Sequence, residues 1–74
     1  MDFPALVAKE LTSSRTKHGR MTTHHEALAV LWEEFEEVKE EVFLKVPHPP
    51  TLLAELVQVG AMAQRFAEDI LDKE

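Results

Sequence analysis

Three prolines within four residues, Pro47, Pro49 and Pro50, separate two long helical patterns and constrain this chain more than any other feature. Proline lacks a backbone N–H and its ring clashes with the preceding turn, so no helix runs through the cluster. Upstream, Leu28, Leu31, Phe35, Val38 and Val42 recur at three-to-four spacing and form one apolar stripe. Thr23 followed by Glu26 fits a capping box, which places this helix over residues 24–43. Downstream, Leu52, Leu56, Val59, Ala63, Phe66 and Ile70 line one face of a helix capped by Thr51 and ending near Asp72. The connection between the two is short, which predicts that they lie antiparallel.

A shorter helix precedes them. Asp2 is suited to cap it, and Pro4 is tolerated in a first turn. Phe3, Leu6, Val7 and Leu11 keep helical spacing, the pattern fades after Thr12 with fraying expected at Ser13 and Ser14, and Gly19 is a natural stop. Gly60 stands inside the third helix beside Ala61 and Ala63. A glycine there costs about 1 kcal/mol relative to alanine and points to close approach of another helix. The expectation is an all-α fold of three helices, one domain over residues 1–74, with a central antiparallel hairpin.

A 74-residue chain without cysteine has no disulfide to stabilise it. Well-packed helices and self-association remain, and two copies of the hairpin would build a four-helix-type bundle as a homodimer, or a homotetramer. Net charge is −6 with pI about 5.1, which suits no nucleic-acid backbone. The longest apolar run, Ala27 to Trp32, falls far short of the ~20 residues of a membrane span, and no basic-then-apolar leader opens the sequence. A cytoplasmic location, with neither membrane nor nucleic acid as partner, is expected.

The acidic run Glu33, Glu34, Glu36, Glu37, Glu40 and Glu41 mostly faces away from the apolar stripe, as an ordinary solvated face would. Like charges at these spacings repel by a few tenths of a kcal/mol per pair, a cost that a bound cation relieves. Glu34 falls at the edge of the stripe, with Glu37 one turn on. Glu55 lies among Leu52, Val59, Met62 and Phe66, where a carboxylate needs a partner. That partner is the helix dipole, a cationic side chain, or a hard cation shared with Glu34 and Glu37, for which magnesium or manganese is suited. His18, His24, His25 and His48 fit no common zinc spacing. Arg15, Lys17 and Arg20 form a basic patch before the acidic helix, either a solvated turn or a grip on phosphate. No phosphate-binding glycine loop and no nucleophile triad is present.

Residues 25–38, with Trp32-Glu33-Glu34-Phe35-Glu36-Glu37 at their centre, resemble the first motif of MazG-like nucleoside triphosphate pyrophosphohydrolases. Residues 55–65, from Glu55-Leu56-Val57-Gln58 to Arg65, together with Glu68 and Asp69, resemble the second. The resemblance implies magnesium held by Glu34, Glu37, Glu55 and Gln58, with Gln58 standing where the family carries aspartate. It implies Glu33 or Glu37 as the base that orients water, Arg15, Lys17 or Arg20 on the substrate phosphates, and a base pocket between helices with Trp32 either at its edge or, the commoner role for a helical tryptophan, in the core or an interface. The implied reaction is hydrolysis of an NTP or dNTP to the monophosphate and pyrophosphate, in nucleotide-pool housecleaning. Gln58 lacks the charge of aspartate, and the other expectation is a catalytically inactive MazG-like helical module for oligomerisation or interaction.

Overall fold

The computed structural model describes residues 1–73, without the side chain of Lys73. Three α-helices, α1 (Phe3–Lys17), α2 (His24–Val42) and α3 (Pro49–Asp69), are followed by a short 3-10 turn over Leu71–Lys73, and the described residues contain no strand. Helix α3 is the centre of the fold. It packs against both α1 and α2, whereas α1 and α2 do not pack against each other.

Local chemistry explains the ends. Asp2 Oδ1 accepts the Ala5 N–H at 3.1 Å and starts α1, with Pro4 in the first turn. Helix α1 does not fray at Ser13 and Ser14 but continues to Lys17, because Ser14 is buried and bonded to a side chain of α3. It stops through His18, whose backbone turns extended, and Gly19 takes no positive φ. The capping box of α2 forms with one displacement: Thr23 Oγ1 accepts the Glu26 N–H at 3.0 Å, while the Glu26 carboxylate takes the N–H of Thr22 at 2.9 Å.

Helix α3 starts earlier than its prolines suggested. His48, not Thr51, is the N-cap, and Pro49 and Pro50 occupy the first turn, where a missing N–H costs nothing. Glu41 Oε1 accepts the His48 N–H at 2.7 Å and ties the end of α2 to the start of α3. The helix ends at Asp69 rather than Asp72.

The core is small: Val7, Met21, Ala27, Ala61, Met62 and Ile70, with Phe3, Leu11, Val30, Leu31 and Phe66 packed around it. A Cβ on Gly60 would stand 2.9 Å from Val7 Cγ2, so the glycine sets how closely α1 lies on α3. The face of α2 turned to the core is centred on Ala27, not on the stripe expected from periodicity. Leu28, Phe35 and Val42 are about half exposed, as is Leu56 on α3.

Candidate metal and phosphate site

A cleft of about 780 Å³ opens between the end of α1 and helix α2, with α3 as its floor. Its α2 wall carries Val30, Glu34 and Glu37, and its floor carries Glu55, Gln58, Met62 and Arg65. Lys17 and Arg20 line it from the α1 side. The cleft therefore gathers carboxylates from two helices and cations from a third segment.

Glu34, Glu37 and Glu55 each offer an oxygen within 4.8 Å of the others. Three carboxylates this close cannot all ionise cheaply. Burial, followed by the charge of Glu37, pushes the Glu34 carboxyl up to about 7. A hydrogen bond with Glu37 and then burial raise Glu55. The i,i+3 spacing on α2 and the approach of α3 thus bring three hard oxygen donors together, with the Gln58 side chain in the same cleft. This donor set fits magnesium or manganese.

The other residues expected at the site divide. Lys17 and Arg20 line the cleft, and Arg20 Nη2 also donates to the Asp69 carbonyl at 3.0 Å. Arg15 does not line it; its guanidinium is held by Asp69 Oδ1 at 2.6 Å and Glu68 Oε1 at 2.7 Å. Those contacts, the Asp69 bond foremost, raise the Arg15 pKa. Glu33 lies apart from the carboxylate trio, in a separate shallow groove with Trp32, Leu28 and His25. Trp32 borders that groove rather than the cleft, and its Nε1 donates to Glu36 Oε1 at 3.0 Å. At about 100° per residue, Glu33 and Glu34 point to different sides of α2, which is why adjacent positions separate.

Arg65 had no role in the sequence reading. It is 5% exposed, donates from Nη1 to Ser14 Oγ at 2.9 Å and from Nη2 to the Gly19 carbonyl at 2.6 Å, and lies 3.9 Å through Nε from Asp69 Oδ2. Asp69 also accepts the Met21 N–H at 3.0 Å. Burial pulls the Asp69 carboxyl upward, but Arg15, the Met21 N–H and the charge of Arg65 outweigh it and hold the pKa below the usual carboxylate value. The available signal was an Arg65 and Asp69 pair at i,i+4 on the sector of α3 shared with Met62. Such a pair among apolar neighbours marks an ionic contact to another element.

Comparison with protein-family models, curated proteins and solved structures finds no match to this chain. No helix among the described residues is long and apolar enough to cross a membrane.

Proposed function

We propose that this chain is a magnesium-dependent nucleoside triphosphate pyrophosphohydrolase of the MazG type, acting in nucleotide-pool housecleaning. One observation carries the reading: Glu34, Glu37 and Glu55 meet within 4.8 Å in a cleft that Lys17 and Arg20 also line. The reading takes α2 and α3 as an antiparallel hairpin, supported by His24 packing edge-on against Phe66 and by Glu37 meeting Glu55 further along. Glu34, Glu37 and Glu55 would hold the magnesium, with the Gln58 amide oxygen beside them. The metal, when bound, neutralises charge on the phosphate oxygens and lets the carboxylates ionise together.

The chain's own groups supply the rest. Lys17 and Arg20 orient the polyphosphate by charge-assisted contacts. Glu37 accepts the proton of a water whose oxygen bonds to the α-phosphorus, while the α–β bridging P–O bond breaks and pyrophosphate leaves. Glu33 is not part of this step, because it borders a different groove. Arg15 acts through structure, since its guanidinium is occupied by Asp69 and Glu68.

A second reading has one observation behind it. Gln58 lies in the cleft where the family carries aspartate, which leaves the site one charge short and is compatible with a helical interaction module without turnover. Pyrophosphate release from a panel of NTPs and dNTPs, with and without magnesium, tests the two on wild type, Glu55→Gln and Gln58→Asp. The enzyme reading expects magnesium-dependent release by wild type that Glu55→Gln removes. Absence of release by wild type, with release gained by Gln58→Asp, identifies the inactive relative. Absence in all three overturns the pyrophosphohydrolase reading.

A further inference from the structure

We propose that Arg65, with Asp69 one turn on, is a positioning residue for phosphate binding: it holds the connection between α1 and α2 so that Lys17 and Arg20 face the carboxylates. The proposal rests on the phosphate site of the pyrophosphohydrolase reading and adds to it a pair of residues that act through others.

Lys17 is the last residue of α1, Arg20 lies beyond the helix, and both are exposed. Cations on an irregular stretch grip phosphate weakly unless the stretch is ordered beforehand, because ordering it opposes binding. Here the last turns of α3 supply that order. Three successive residues are fastened to them: the Gly19 carbonyl accepts from Arg65 Nη2 at 2.6 Å, Arg20 Nη2 donates to the Asp69 carbonyl at 3.0 Å, and the Met21 N–H donates to Asp69 Oδ2 at 3.0 Å. Arg65 Nη1 donates to Ser14 Oγ at 2.9 Å and so holds the end of α1 as well.

Both halves of the site therefore hang on one helix. Glu55 precedes Arg65 by ten residues, about 15 Å along α3 at 1.5 Å per residue. Fastening the cationic segment to the same rigid element sets its place relative to the carboxylates, and placement of this kind is what a phosphate clamp needs.

Arg65 does not take the phosphate itself. It is 5% exposed, and both of its Nη atoms donate to protein acceptors. Its buried Nε has no hydrogen-bond partner and stands 3.9 Å from Asp69 Oδ2. A buried guanidinium with an orphaned N–H is a poor source of stability, since a well-packed apolar side chain serves as well or better. Its planar fork supplies what an apolar side chain cannot, one rigid group bonded to α1 and to the connection at once.

Calorimetry on the full chain tests this, first with magnesium alone and then with inorganic tripolyphosphate added to the magnesium-loaded protein. Arg65→Lys keeps the charge and loses the fork. It is expected to bind magnesium within about twofold of wild type and tripolyphosphate roughly tenfold or more weakly. Lys17→Ala should show the same split, and the double variant should lose less than the two single losses combined, because Arg65 acts through the segment that carries Lys17. Unchanged tripolyphosphate affinity, a parallel loss of magnesium affinity, or independent losses in the double variant each overturn the proposal. Wild type alone gives a second measurement: before any ligand is added, the Met21 amide should exchange with solvent as slowly as the amides of residues 65–69, and fast exchange would show that the segment is not held. Wild type that binds no tripolyphosphate overturns both this proposal and the enzymatic reading. Arg65-dependent binding without pyrophosphate release from any nucleotide overturns the enzymatic reading alone.

Discussion

Arg65 Nη2 donates to the Gly19 carbonyl at 2.6 Å across 46 positions of sequence, and this bond ties the α1–α2 connection to the central helix. The same guanidinium reaches Ser14 on α1, and its Nε faces Asp69. Asp69 in turn holds Arg15 and the Met21 N–H. Since α1 and α2 each pack on α3 rather than on each other, these contacts help fix how Lys17 and Arg20 stand toward the carboxylates.

Asp69→Ala is expected to destabilise the fold by about 3 kcal/mol, since it leaves two arginines and a buried N–H without their carboxylate. For a domain of this size that lowers Tm by roughly 12–24 °C. Arg15→Ala removes a partly exposed partner and costs about 1 kcal/mol. Thermal melts of the two variants rank them, and an equal or smaller loss for Asp69→Ala would remove Asp69 from the centre of the network.

Glu34→Gln is expected to stabilise the metal-free protein at neutral pH by relieving repulsion among three carboxylates, and to weaken magnesium binding by roughly tenfold or more. Melts with and without magnesium should show a metal-induced rise in Tm for wild type that the variant lacks. The same rise in both proteins would place the metal elsewhere.

Metal-free stability should fall as pH rises from 4.5 to about 7. Glu34 is raised from the ordinary carboxylate value of 4.5 to about 7, so within that window the folded chain binds more protons than the unfolded one, and stability is full below the window and declines through it. Glu55, also raised, acts in the same direction. The loss is about 1–2 kcal/mol once solvent screening is allowed for. Urea midpoints measured across this range check the sign, and saturating magnesium should flatten or reverse the slope.

Gly60→Ala gains about 1 kcal/mol of helix propensity but drives a methyl into Val7 Cγ2, which sits on a stiff β-branched side chain. Overpacking of this kind costs 1–3 kcal/mol, so a net loss of about 1 kcal/mol is expected. Gly19→Ala meets nothing within 4 Å and has no positive φ, so it should be neutral or slightly stabilising. Denaturant midpoints of the pair separate a packing glycine from one that merely follows a helix.

The sequence by itself determined that this protein is helical and where α1 and α2 begin. Those features depend on neighbours along the chain: Asp2 and Thr23 as caps, proline against helix continuation, and a period of 3.6 residues. It also singled out Glu34, Glu37 and Glu55, because a carboxylate at the edge of an apolar sector is visible on a helical wheel. Only the tertiary structure decided which part of the apolar stripe becomes core. Periodicity reports that Leu28, Phe35 and Val42 share a side of α2, but α3 packs against the neighbouring sector around Ala27, where a small residue permits close approach. Tertiary structure likewise removed Arg15 and Glu33 from the cleft and brought Arg65 to its wall. Ion pairs and hydrogen bonds spanning about fifty residues leave no periodic trace, since they arise from where the helices meet and not from the spacing within any one of them.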